Sequence, residues 1–143
     1  MLSLRRLRSD ARLPRRANPW DAGLDLAAVE SARIPPGARV AAPTGLAVAI
    51  PPGHAGLVVP RSGLARDHGV TVANAPGLID AGYRGELTVL LVNLGPEEHH
   101  VAPGDRIAQL VIVAVGDHVP QEVDELPASD GRDAGGFGSS GRR

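Results

Sequence analysis

Apolar residues along this chain fall into short blocks and do not follow a helical rhythm. The blocks are Gly45-Leu-Ala-Val-Ala-Ile50, Ala55-Gly-Leu-Val-Val59, Leu87-Thr-Val-Leu-Leu-Val-Asn93 and Ile107-Ala-Gln-Leu-Val-Ile-Val113. Several are rich in β-branched residues, which suit a pleated, half-buried surface. Turn signals separate them: Pro35-Pro-Gly37, Pro51-Pro-Gly53 and Pro103-Gly-Asp105. Short strands between tight turns predict an all-β fold, a sandwich or a barrel-like jelly roll. One short helix is expected near Leu64-Ala-Arg-Asp-His68, closed by Gly69. The pair Arg5-Arg6 reads as the polar face of an edge strand.

The last stretch breaks the pattern. From Ser129 to Arg143 the chain is Ser, Asp, Gly and Arg around a single Phe137. Such a segment cannot pack a core alone, so residues 1–128 are expected to form one β-barrel domain and 129–143 a flexible arm. A lone aromatic among glycines, with Arg132 upstream, suits a flap that closes over a base and phosphates; a plain disordered tail is the other reading.

Composition narrows the possibilities. With 143 residues the chain suits one domain, and a 43% hydrophobic share allows a packed core. Its aromatics are Trp20, Tyr83 and Phe137, so that core must be aliphatic. A net charge of -1 argues against a general nucleic-acid or membrane-surface binder. The chain has no cysteine, which excludes disulfides, zinc–thiolate sites and a cysteine nucleophile. No apolar run approaches a membrane span, and Met1–Asp10 lacks the apolar core of a signal peptide; a cytoplasmic protein is expected. All 15 basic residues are arginine. Any charged side chain that grips a phosphate must therefore be Arg, whose planar fork matches that group.

Four segments could carry chemistry. Pro60-Arg-Ser-Gly-Leu-Ala65 opens the expected helix, where Arg61, the Ser62 hydroxyl and the backbone at Gly63 could cradle an anion; an N-cap turn is the plainer alternative. In Asn74-Ala-Pro-Gly-Leu-Ile-Asp-Ala-Gly-Tyr-Arg-Gly-Glu86, Asp80 follows Ile79 and begins a tight hairpin-like turn. It could polarise a water there, or it could be a turn residue, with Tyr83 packing on the hairpin. Asp21-Ala-Gly-Leu-Asp25 offers two carboxylates for metal-bound water or for turn caps. Gln109, in Pro103-Gly-Asp-Arg-Ile-Ala-Gln109, starts a strand and could reach inward. His99-His100 invites a metal reading, but adjacent strand residues face opposite ways, so a solvated loop pair is expected.

In this order the segments resemble the five motifs of trimeric dUTP pyrophosphatases. They are Ala22-Gly-Leu-Asp25-Leu, Pro60-Arg-Ser-Gly-Leu-Ala65, Gly77-Leu-Ile-Asp-Ala-Gly-Tyr-Arg-Gly85 with Asn74 upstream, Gly104-Asp-Arg-Ile-Ala-Gln109-Leu, and Arg132-Asp-Ala-Gly-Gly-Phe-Gly-Ser-Ser140. The resemblance spans nearly the whole chain. It implies a distorted jelly-roll subunit, a homotrimer with shared active sites, and Mg²⁺-dependent hydrolysis of dUTP to dUMP and pyrophosphate. That reaction limits uracil in DNA and supplies dUMP for dTMP synthesis. The resemblance makes Asp80 the base that activates water for attack on the α-phosphorus. It makes Asp25 the carboxylate that holds waters of Mg²⁺, and Arg61, Ser62, Gly63 and Gln109 the phosphate cradle. Asn74 and the backbone from Ile79 to Tyr83 would read uracil, and Tyr83 would pack on deoxyribose and reject a 2′-hydroxyl. Phe137, followed by Gly138, would stack on the base, and Arg132 would pair with the γ-phosphate. Asp133 departs from the family, which usually has Gly after that Arg.

Two rivals remain. A dCTP deaminase shares the fold and trimer, but carries a catalytic Glu on the strand after the hairpin, where this chain has Leu90. A non-catalytic trimeric binding module would not need the full set of Asp, Tyr, Arg and Phe.

Overall fold

The computed structural model describes residues 1–128. Its strands are β1 (Ser3–Arg6), β2 (Leu24–Ala27), β3 (Ala32–Ile34), β4 (Arg39–Ala49) and β5 (His54–Val59). A single helix, α1 (Ser62–His68), precedes β6 (Val70–Val72), β7 (Gly77–Ile79), β8 (Glu86–Asn93), β9 (His99–Val101) and β10 (Arg106–Ala114). One four-stranded sheet has the order β1-β4-β8-β6, the other β2-β10-β5-β7, and β3 with β9 forms a small ladder. Every pairing is antiparallel. This is the all-β, jelly-roll type of architecture that the short apolar blocks predict.

The core lies between the sheets. In β8, alternation puts Leu87, Val89 and Leu91 inward and leaves Thr88 and Leu90 outside. They meet Leu26 of β2, Val58 of β5 and Leu110 of β10 in one cluster. Truncating a fully buried leucine here, such as Leu26, costs about 2–5 kcal/mol by loss of burial and the cavity left behind. Two polar side chains are fully buried, and both are satisfied. Thr44 Oγ1 donates to Leu87 O at 2.6 Å, and Asn93 Nδ2 donates to Ile34 O and Glu97 O, each at 2.7 Å.

The expected helix forms, two residues earlier than the sequence indicated. Gly69 ends it in the left-handed region at φ 68°, and its N–H bonds back to Ala65 O and Leu64 O. Arg5 and Arg6 lie on β1, an edge strand, as anticipated. Two local expectations change. The Asp80–Gly85 turn does not close a paired hairpin. β8 already has β4 and β6 on its two sides, so β7 joins the open edge of β5, and the turn crosses from one sheet to the other. His99 and His100 belong to no loop; they lie on β9, paired with β3. The loop signals around them were outweighed by a ladder with a partner far away in sequence.

Candidate active site

The residues expected from the sequence to cradle an anion come together at one end of the second sheet. In the register of β10, Gln109 lies between Asp25 of β2 and Val59 of β5. Directly after β5 come Arg61, Ser62 and Gly63, where α1 begins. A cavity of about 180 Å³ is lined by Arg61, Ser62, Gly63, Asp25 and Gln109, with Gly23, Asp21, Ala17 and Arg106. Arg61, at the cap position, gives α1 no side-chain hydrogen bond. Its first intrahelical bond is Ala65 N to Arg61 O, at 3.1 Å, so the earlier amides are available to an anion. Among the described residues, nothing lies within 4 Å of the position a Cβ on Gly63 would take.

Asp25 is the charged centre of the cradle. Its side chain is only 17% exposed. Arg106 Nη1 donates to its Oδ2 at 2.9 Å, and Arg61 Nε lies 3.8 Å from its Oδ1. Arg61 in turn donates through Nη1 to Arg106 O at 2.8 Å. This arrangement fixes the direction of the Arg61 fork before any ligand arrives, so less freedom is lost on binding. Nearby, Asp21 caps its own turn, accepting from Asn18 N at 2.8 Å.

Arg106 and Gly23 were missed as cradle residues. By simple alternation Arg106, three positions before Gln109, should face the other way. A register shift between Arg106 and Ala108 brings both to the same side and leaves Ile107 and Ala108 buried in succession. That double burial inside a strand was the available signal. Gly23 packs directly on Gln109: a Cβ there would collide with Gln109 Oε1 and displace the carboxamide.

Asp80, Ile79, Tyr83 and Asn74 do not join this cavity. Ile79 pairs with Gly56, so Asp80 continues opposite Ala55, whereas Arg61 follows the far end of β5. About six residues of extended chain, roughly 15–20 Å, separate the two ends. Asp80 is exposed, and its carbonyl accepts from Tyr83 N at 3.0 Å. Tyr83 covers Gly85 and donates its hydroxyl to Glu86 O at 3.0 Å; Arg84 Nη1 braces the turn through Ala81 O and Tyr83 O. Asn74 borders a separate cleft with Arg39, Val40, Ala41, Ala73 and Leu90. Arg132, Asp133, Phe137 and Gly138 lie outside the described residues.

The fold and site define a class: a two-sheet β protein with Arg61, Ser62, Gly63, Asp25 and Gln109 gathered on one small cavity. The family model described as dUTPase matches residues 9–141, and the chain belongs to that family. It is 51% identical to the deoxyuridine 5'-triphosphate nucleotidohydrolase of Syntrophotalea carbinolica, covering 98% of this chain and 96% of that one. Among solved structures it is similar to a mutant Staphylococcus bacteriophage 80alpha dUTPase with dUpNHpp. That match has 30% identity, a TM-score of 0.89, and covers 99% of this chain and 98% of that one. A mutant dUTPase of phage phi11 of S. aureus, described with a structural Mg(II) ion, matches at 29% identity and a TM-score of 0.82, covering 88% and 98%.

Proposed function

We propose that this chain hydrolyses dUTP to dUMP and pyrophosphate, at sites shared between the subunits of a homotrimer. The observation that carries the reading is the assembled cradle: Arg61, Ser62, Gly63, Gln109 and Asp25 converge on one small cavity. Family membership names the nucleotide, and relatives over nearly the full length carry the same activity in their names.

The chemistry follows from charge. Attack of water on the α-phosphorus spreads negative charge over phosphate oxygens. The Arg61 fork and the amides of Ser62 and Gly63 line the cavity in which such oxygens would sit, and a preorganised donor does not reorient as charge develops. Asp80 accepts the proton of the attacking water. Asn74 and the backbone at Ile79 hold uracil, and Tyr83 lies against deoxyribose, leaving no room for a 2′-hydroxyl. Arg132, Phe137 and Gly138, on the arm of residues 129–143, cover the bound nucleotide and exclude water.

The donor set suits Mg²⁺ bound with its waters. Asp25 lines the cradle but is committed to two arginines, so it fits as an acceptor for metal-bound water and not as a direct ligand. When bound to the triphosphate, Mg²⁺ would neutralise charge between the phosphates.

The trimer rests on what one chain leaves unfinished. Asp80 lies past the end of β5 opposite to the one Arg61 follows, and it does not line the cradle. Residues 115–128 form no regular element and expose Val119 at 86% and Leu126 at 85%, surface suited to burial against a second subunit. No helix among the described residues is long and apolar enough to cross a membrane. We place the enzyme in the cytoplasm.

Deamination of dCTP is disfavoured at β8. Leu90 points outward there, and the Glu86 carboxylate accepts from Gly45 N at 2.7 Å, tied into the sheet. One assay of dUTP, dCTP, dTTP and UTP side by side, with pyrophosphate and ammonia detection, tests the assignment. Mg²⁺-dependent pyrophosphate release from dUTP alone is expected; ammonia from dCTP would overturn it.

A further inference from the structure

The segment between β1 and β2 carries more positive charge than the cradle beside it uses. Leaving Arg6, the chain crosses to the edge of β2, where Arg15 makes one antiparallel bridge to Asp25. Along this crossing lies a cavity of about 520 Å³, larger than the cradle. Arg6, Arg12, Arg15, Arg16 and Arg106 line it, against a single carboxylate, Asp25. Asp25 is already taken up by Arg106 and Arg61. Among the described residues, Arg6, Arg12, Arg15 and Arg16 form no ion pair.

Two of these arginines are nonetheless held in place by carbonyls. Arg12 Nη1 donates to Gly104 O at 3.0 Å, and Arg16 Nε donates to Asp21 O at 2.7 Å. Each guanidinium has five N–H donors, so both keep several to offer. Like charges gathered on one wall repel one another, and a multiply charged oxyanion between them reverses the sign. The cavity adjoins the cradle, since Ala17, Asp25 and Arg106 line both.

We infer that this arginine pocket is a second anion site, which receives inorganic pyrophosphate as it leaves the cradle. The inference rests on the proposed dUTP hydrolysis for the source of the anion. Arg106 stands between the two sites, and Arg12 and Arg15 belong to the second alone. No bond is made or broken in the transfer. Added pyrophosphate refills the pocket and slows turnover.

Calorimetric titration of the full chain with inorganic pyrophosphate at low salt tests this. Wild type should show two classes of site. Arg12→Ser/Arg15→Ser should keep the cradle class and weaken the other by about tenfold per arginine, the effect of one charge-assisted contact. Arg15→Glu covers the case in which losing Arg12 disturbs the Gly104 turn; the Arg15 side chain makes no hydrogen bond among the described residues. Arg61→Ser should remove the cradle class and spare the pocket. Unchanged pyrophosphate binding in both Arg15 variants overturns the inference, even if dUTP is hydrolysed. If dUTP is not hydrolysed and the pocket class still vanishes in those variants, the anion site stands and its assigned source falls.

Discussion

The carboxamide of Gln109 occupies the space that any side chain at position 23 would need. Gly23→Ala should therefore push Gln109 out of the cradle. Overpacking of this kind costs about 1–3 kcal/mol in stability, and kcat/KM for dUTP should fall by about tenfold, one lost polar contact. Adding Gln109→Ala should recover part of the melting temperature without restoring activity, because the clash with the carboxamide is gone, the tight 3.0 Å approach of the residue-109 Cβ stays, and the donor is lost. Thermal melts and steady-state kinetics on the three variants check this; full activity in Gly23→Ala would show that Gln109 is not used where it lies. Asp80 calls for a different change. Asp80→Asn keeps shape and turn but cannot take a proton, so kcat should drop about 10²–10⁴-fold, the usual share of a general base. Nucleotide binding, measured by calorimetry, should survive. Equal turnover would remove Asp80 from its role. Local sequence alone favoured a turn residue over a base at Asp80, since an exposed Asp at a strand end more often serves the turn.

At the scale of elements, α1 and β9 meet through a histidine pair. The rings of His68 and His99 are 4.9 Å apart. Burial, and then the neighbouring charge of His68, hold His99 below its ordinary value, against an opposing pull from Asp105; His100 adds to the lowering. The unfolded chain therefore binds this proton more readily than the folded one. Stability from this group is complete above the ordinary histidine value, about 6.5, and is lost as pH falls from there toward the lowered folded value. Melting temperatures measured from neutral pH down to mildly acidic pH should decline, and His99→Gln should flatten part of that decline. An unchanged slope in the variant would assign the loss to other groups. Elements built from local signals were legible in the sequence: the four apolar blocks became strands, and Gly69 closed the helix. The β7–β8 connection was not, because a strand joins whichever edge is open, and that depends on strands far away in the chain. Arg106 was hidden for a related reason, since one extra residue at a bulge reverses the facing that alternation assigns.

For the whole molecule, the two halves of the proposed site lie at opposite ends of one sheet, and no rearrangement within a folded sheet could bring Asp80 to Arg61. The motifs were all legible in sequence, but the proposed distribution over separate chains comes only from the resemblance, because spacing along one chain says nothing about which copy supplies each part. Deleting residues 130–143 should leave the assembly intact by sedimentation while turnover falls steeply; dissociation instead would make the arm structural. The proposed sharing between subunits has a sharper consequence. Arg61→Ser and Asp80→Asn, each nearly inactive alone, damage different contributors to the same site. When the two are unfolded together in equal amounts and refolded, some sites draw Arg61 from one variant and Asp80 from the other. A heterologous contact takes each contributor independently, so about one quarter of sites are intact by random assortment. Activity should return to about that fraction of wild type in the mixture, and stay absent when the variants are refolded separately and then mixed without exchange. If co-refolding restores nothing while both variants still assemble, the site must be built within one chain, and the roughly 15–20 Å between Asp80 and Arg61 would then rule out one of them as a contributor.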